Sequence, residues 1–139
     1  MLRQTSTMLS IRAKGPGLIE FTDTVQKFVA NAGIERGLLT IFCRHTSASL
    51  LIQENAAPAA RRDLQEYFAR IAPESSSYEH DDEGPDDMPA HLRTALTATD
   101  LSIPVEDGRL VLGTWQGIFL FEHRQSAPDR QIAVHLIGE

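Results

Sequence analysis

Along the chain the apolar positions switch between a period of two and a period near 3.6, and the switches mark the elements. Residues 4–12 carry β-formers in rough alternation and stop at Lys14-Gly15-Pro16-Gly17, a strong turn signal. Leu18 to Phe21 reads as a short strand returning as the hairpin partner of the first. From Asp23 the period lengthens. Val25, Phe28, Val29 and Ala32 form one helical stripe, with Gln26 as the capping-box partner of Asp23 and Gly33 as the stop. Gly37 to Arg44 and Ser47 to Gln53 read as strands. A second helix is predicted from about Ala57 to Ile71, with Pro58 in its first turn and a stripe of Leu64, Tyr67, Phe68 and Ile71. The polar segment Ala72 to Pro85 reads as a long loop, of a length that in compact domains tends to be functional. A third helix begins near Asp87 or Met88, with stripe Met88, Leu92, Ala95 and Leu96, and His91 falls on that stripe. Strands follow at Leu101 to Val105 and Arg130 to Ile137. Between them runs Leu110 to His123, too long for one ordinary strand and expected to bend at Gly113 or Gly117. Three helices and six or seven mostly antiparallel strands predict an α+β domain, a bent sheet or sandwich with helices against one side.

With 139 residues, no repeat and no linker, residues 1–139 read as a single domain. The formal net charge of −6, with Lys and Arg scattered, argues against a nucleic-acid partner. The N-terminus lacks a signal-peptide core, and the run Ile118 to Phe121 is far too short to span a bilayer, so a cytoplasmic chain with no membrane partner is expected. Cys43 is the only cysteine and reads as a small core residue.

The densest chemistry lies between Tyr78 and Leu96, where two histidines flank five Asp or Glu residues and a Gly-Pro break. His80 with Asp81, Asp82, Glu83, Asp86 and Asp87 offers oxygen ligands and an imidazole for a divalent metal or a Mg-diphosphate; the alternative is a solvated loop. His91, on an apolar stripe, is either a satisfied core residue or part of a site. His45, Thr46 and Ser47 at a strand junction, with Glu54-Asn55 further on, suit anion binding and proton transfer, or are turn residues. Trp115 and Gln116 between two glycines permit close approach by a flat ring, or mark a bulge. Glu122, His123 and Arg124 close a strand, with Arg124 as an anion contact or a plain ion pair; His135 reads as structural. Walker, GxGxxG, GxSxG and HExxH motifs are absent, so no nucleotide cofactor is expected.

Taken together, HTSASLLIQENAAP, YEHDDEGPDDMPAHL and IPVEDGRLVLGTWQGIFLFEHR, followed by the closing strand, resemble the YjbQ family of secondary thiamine-phosphate-synthase-like proteins over essentially the whole chain. The resemblance implies a sandwich-like domain that forms a homotrimer, with the polar motifs gathered in a pocket near subunit contacts. It implies a phosphorylated small-molecule substrate and a synthase activity, possessed as a side activity. That activity joins hydroxymethylpyrimidine diphosphate to thiazole phosphate and releases pyrophosphate. By position it assigns His91, Asp87, Glu54 and His123 to catalysis, with His91 in proton transfer. It assigns Thr46, Ser47, Asn55, Trp115, Gln116, Glu122 and Arg124 to the substrate, and His45, His80, His91 and Asp86 to a divalent metal, Zn or Mg. Ala57 departs from the family's usual Asp before the proline. A non-catalytic module for a metal or anionic metabolite, and a metal-dependent hydrolase with incidental synthase activity, are the alternatives.

Overall fold

A computed structural model describes every residue except Ser76, which lies in the predicted 72–85 loop and outside the described residues. The elements run β1 (Arg3–Ile11), β2 (Gly17–Glu20), α1 (Thr22–Ala32), β3 (Gly37–Cys43), β4 (Ala48–Glu54), α2 (Pro58–Ile71), α3 (Asp87–Leu96), β5 (Asp100–Glu106), β6 (Arg109–Leu110), β7 (Gln116–Glu122) and β8 (Arg130–Gly138). They form two antiparallel sheets, a five-stranded one in the order β1-β8-β3-β5-β6 and a three-stranded one in the order β2-β7-β4. The expected α+β architecture of sandwiched sheets and three helices is therefore present.

Alternation explains how the sheets meet. Leu39 and Ile41 of β3, Ile103 and Val105 of β5 and Ile132, Val134 and Leu136 of β8 face Leu50, Ile118 and Leu120 of the small sheet, and all are buried. Val25 and Val29 of α1 join the same core, as the predicted stripe requires. The other face of the small sheet is covered in turn: Phe68 of α2 meets Phe121 edge-on at 5.4 Å, and the Arg61 guanidinium lies 5.0 Å from the centre of the Phe119 ring. β7 is thus buried on both faces, which is why its sequence is a continuous apolar run instead of an alternation.

Four local expectations change. β2 does not return on β1 but pairs with β7, from Gly17↔Glu122 to Glu20↔Phe119, because its apolar residues are needed in the second sheet. The capping box of α1 does not form: Gln26 Oε1 instead accepts the Leu110 N–H. The long run 110–123 neither bends nor bulges within one strand; it leaves the large sheet after Leu110 and enters the small one at Gln116. Gly117 is required by contact, since a Cβ there would fall 2.5 Å from Glu20 Oε2. Finally, α3 turns inward not its predicted apolar stripe but Asp87, Pro89 and Ala90, while Leu96 stays exposed. That inversion points at the site.

Candidate metal centre and its cavity

Among the described residues five polar or charged ones are buried, Ser49, Asp87, Glu122, His123 and Arg130, and they lie in α3 and at the ends of β4, β7 and β8. Asp86 and Asp87 begin α3, where the helix dipole favours carboxylates. Arg124, just past β7, holds both: Nε donates to Asp86 Oδ2 (3.1 Å), Nη1 to Asp87 Oδ1 (2.7 Å) and Nη2 to the Glu83 carbonyl (2.9 Å). The Gln125 N–H adds a fourth tie to Asp86 Oδ2 at 2.8 Å. Burial pushes the Asp86 carboxyl up, but the Gln125 N–H and Arg124 together hold it below its ordinary value. All three guanidinium nitrogens are therefore engaged within the chain. Arg124 clamps the acidic loop to the sheet and has no nitrogen left without a partner for an anion.

The clamp leaves Asp87 Oδ2 for two imidazoles. His80 Nε2 lies 3.0 Å from it and His91 Nε2 3.2 Å. Asp87 and His91 share one helix face at i, i+4, and His80 reaches over from the loop, its ring centre 5.8 Å from that of His91. His91 Nδ1 sits 3.0 Å from the Thr46 carbonyl, which can only accept, so Nδ1 carries a hydrogen and the Nε2 of a neutral ring bears its lone pair toward Asp87. Glu83 Oε2 is a further acceptor 3.0 Å from His80 Nε2. Lone pairs thus outnumber hydrogens at one point, which calls for an added proton or a cation. The ligand atoms of His80, Asp87 and His91 lie within 4.8 Å of one another, close enough to share one ion. Desolvation opposes charge on His80, but Asp82, Asp87 and Glu83 outweigh it and hold its pKa above the ordinary value.

Behind His91 opens a cavity of about 660 Å³, walled by Phe42, His45, Thr46, Thr94 and Thr97 among others. His45 belongs to this wall and not to the histidine pair: its Nε2 accepts the Gln131 N–H at 2.8 Å, and Arg130 Nη1 lies 3.3 Å from Nδ1. Burial and the Arg130 charge lower its pKa. Arg130 itself forms a bidentate pair with Glu122 between the sheets, at 2.7 Å and 2.5 Å, and donates to the Ser47 carbonyl and hydroxyl. Ser47 and Glu122 are thereby committed to the interior. His123 lies on the opposite face of β7, its Nε2 2.9 Å from Ser49 Oγ and its Nδ1 without a partner among the described residues. Burial, then Arg93 and Arg130, push its pKa down to about 3, so it stays neutral.

The remaining expected site residues lie elsewhere. In the β4–β7 register Ala48 pairs with Glu122 and Glu54 with Gln116, so Glu54, Asn55, Trp115 and Gln116 lie at the far end of the small sheet, about 20 Å from the histidines. There Glu54 Oε2 accepts the Ala57 N–H, Asn55 Nδ2 donates to Glu20 Oε2, Gln116 Oε1 accepts the Gly113 N–H, and Trp115 is exposed. One chain does not bring the two groups together. Reading residues singly missed Ser49, Thr97 and Arg130; all three are ordinary residue types whose roles come from partners remote in sequence. The Asp87–His91 spacing on one helix face was the available signal for the cluster that does form.

Comparison with known proteins gives one consistent result. The family model described as "UPF0047 protein YjbQ-like" matches residues 7–139. A UPF0047 protein of Synechocystis sp. is 51% identical over 99% of this chain and 94% of its own length, and YjbQ of Salmonella typhimurium is 43% identical over 100% of both. Among solved structures, a "YbjQ-like protein of unknown function" from Sulfolobus solfataricus superposes with a TM-score of 0.86 at 27% identity, covering 100% of this chain and 99% of that one. A YjbQ/UPF0047 family protein of Clostridium acetobutylicum gives 0.82 at 31% identity, covering 95% and 98%. Among the described residues no helix is long and apolar enough to cross a membrane.

Proposed function

The chain belongs to the YjbQ-like UPF0047 family, and we propose that it is a metal-dependent enzyme acting on a small phosphorylated molecule held in the cavity beside His91. One observation carries this reading: two imidazole Nε2 atoms converge on one buried carboxylate oxygen while His91 Nδ1 faces a carbonyl, the arrangement by which a second partner orients a metal-binding histidine. His80, Asp87 and His91 are the proposed ligands, in place of the set His45, His80, His91 and Asp86 expected from the sequence, because Asp86 is held by Arg124 and His45 by Gln131. Two imidazoles and one carboxylate suit zinc better than magnesium, which prefers oxygen alone. When bound, the ion would neutralise phosphoryl oxygens and polarise what it touches. This chain's own residues then orient the ligand set through Arg124 and Thr46, and wall the cavity with Thr46, Thr94 and Thr97. A metal would also offset the repulsion of a phosphate by Glu83, Asp86 and Asp87, beside Arg44 of the cavity wall.

For the reaction class we propose the thiamine-phosphate-synthase-like substitution, a pyrimidine diphosphate condensing with a thiazole phosphate and releasing pyrophosphate. The donor set favours a second reading: two histidines and a carboxylate with an open position are also the equipment of zinc hydrolases. Product identity separates the two. We further propose assembly as a homotrimer. Across the outer face of the large sheet, Met8 and Phe42 flank Ala133 in register and Leu38 lies opposite Ile137; Met8, Leu38 and Phe42 remain 46%, 43% and 46% exposed. Sedimentation should give a trimer, and Phe42→Asp should yield monomer; a monomeric parent removes the proposal.

The decisive test is the zinc content of the purified protein beside a His80→Ala/His91→Ala variant, with circular dichroism to establish that both fold. Stoichiometric zinc in the parent and none in the variant is expected. A parent that takes up no zinc on dialysis against it overturns the metal reading.

A further inference from the structure

We propose that Thr97 is the specificity contact of the cavity, a hydrogen-bond acceptor fixed by Ser49 and the buried His123, and that the ligand it selects carries an N–H or O–H donor at the end remote from its phosphate. The inference deepens the function proposed above and rests on it for the phosphate end only.

The argument is a count of hydrogens. Thr97 Oγ lies 2.8 Å from the Arg93 carbonyl and 2.6 Å from Ser49 Oγ, and Ser49 Oγ lies 2.9 Å from His123 Nε2. A carbonyl can only accept, so the single Thr97 hydroxyl hydrogen goes to Arg93. Ser49 must then donate to Thr97, and His123 must donate to Ser49 from Nε2. Three bonds take three hydrogens, one from each side chain, and every bond is made. The opposite order fails twice. It leaves the Arg93 carbonyl without the Thr97 hydrogen, and it puts the imidazole hydrogen on Nδ1, which is buried without a partner. A buried orphan N–H is rarer than an orphan acceptor.

The consequence appears at the cavity, which Thr97 lines and into which Ser49 and His123 do not reach. Thr97 Oγ gives away its hydrogen, accepts one from Ser49, and keeps one lone pair for a ligand. Offering a hydrogen to the ligand instead would break the bond to the Arg93 carbonyl. Burial, and then the charges of Arg93 on α3 and Arg130 on β8, keep His123 uncharged. His91 and Thr97 are six positions apart along α3 and its cap, about 9 Å along the axis, so one small molecule can reach from the metal centre to the acceptor.

Two measurements test this. Nitrogen-15 NMR of histidine-labelled metal-free protein should show His123 as the neutral Nε2–H tautomer at pH 7; the Nδ1–H tautomer overturns the holding of Thr97 by Ser49 and His123. Calorimetry on zinc-loaded protein should find 4-aminobenzylphosphonate bound about three- to tenfold more tightly than 4-methylbenzylphosphonate, the yield of one added hydrogen bond. Thr97→Val should abolish that preference, Thr97→Ser should restore it, and Ser49→Ala should reduce it with zinc content unchanged. Zinc-loaded protein that binds both probes alike, or neither, overturns the acceptor role and leaves the metal centre standing. Protein that holds no zinc fails the metal reading instead, and the tautomer measurement then decides whether Ser49 and His123 hold Thr97 as proposed.

Discussion

The two ends of the β4–β7 sheet carry similar residue types and behave oppositely. At the Asn55 end, polar groups complete one another: Glu20 accepts from Thr22 and Asn55, Glu54 caps the chain before α2, and Gly117 lets Glu20 lie directly against the strand. At the His91 end they do not. Two imidazoles and two carboxylates converge with too few hydrogens, and a cavity stands open beside them. The lesson concerns what to look for in a polar cluster. Closed hydrogen-bond accounts hold a fold together; an account that leaves a surplus of lone pairs marks where an outside group belongs.

The contrast can be pressed hardest where the functional end also carries the fold. Arg130→Ala should cost about 3–5 kcal/mol in denaturant unfolding, because it strands Glu122 as an unpaired buried charge between the sheets. At the closed end, Gly117→Ala should cost about 1–3 kcal/mol through overpacking against Glu20 and Asn55, with zinc uptake unaltered. A zinc defect in that variant would show that the two ends are not independent. The gentlest probe is pH. His123 has a folded pKa of about 3, below the ordinary value, so between about 6.5 and 3 the unfolded chain takes up a proton that the folded chain refuses. His123 should make stability fall as pH drops across that window by about 1.4 kcal/mol per unit at most, and the fall should be shallower in His123→Gln. Equal pH profiles for parent and variant would remove the neutral buried imidazole.

Much of the fold was legible because it depends on local pattern. Gly33 stops α1 in the left-handed conformation, with φ of 66°, and Val25 and Val29 bury as their spacing requires. β2 was misplaced because nearness in sequence favours a hairpin, whereas its choice of sheet is settled by which core lacks apolar area. The histidine cluster was legible as a cluster, since no interior accommodates so many unpaired polar groups. Its membership was not. Asp86 and Asp87 are indistinguishable as letters and are separated only by helix phase, which places Asp87 one turn before His91. Treating HTSASLLIQEN as one site also overlooked a simple length: a strand from Ser47 to Glu54 carries its two ends more than about 20 Å apart. Ser49 and Thr97 gave no signal, because their meaning arises from a hydrogen count that closes only in three dimensions.

Trp115 is the only tryptophan of the chain, and it stands 63% exposed at the quiet end of β7. The molecule therefore carries its one strong intrinsic fluorophore at the end of the small sheet away from the proposed metal centre. Its emission should follow solvent contact and melting of that edge and stay unchanged on zinc addition, so the two processes could be followed separately in a single cuvette.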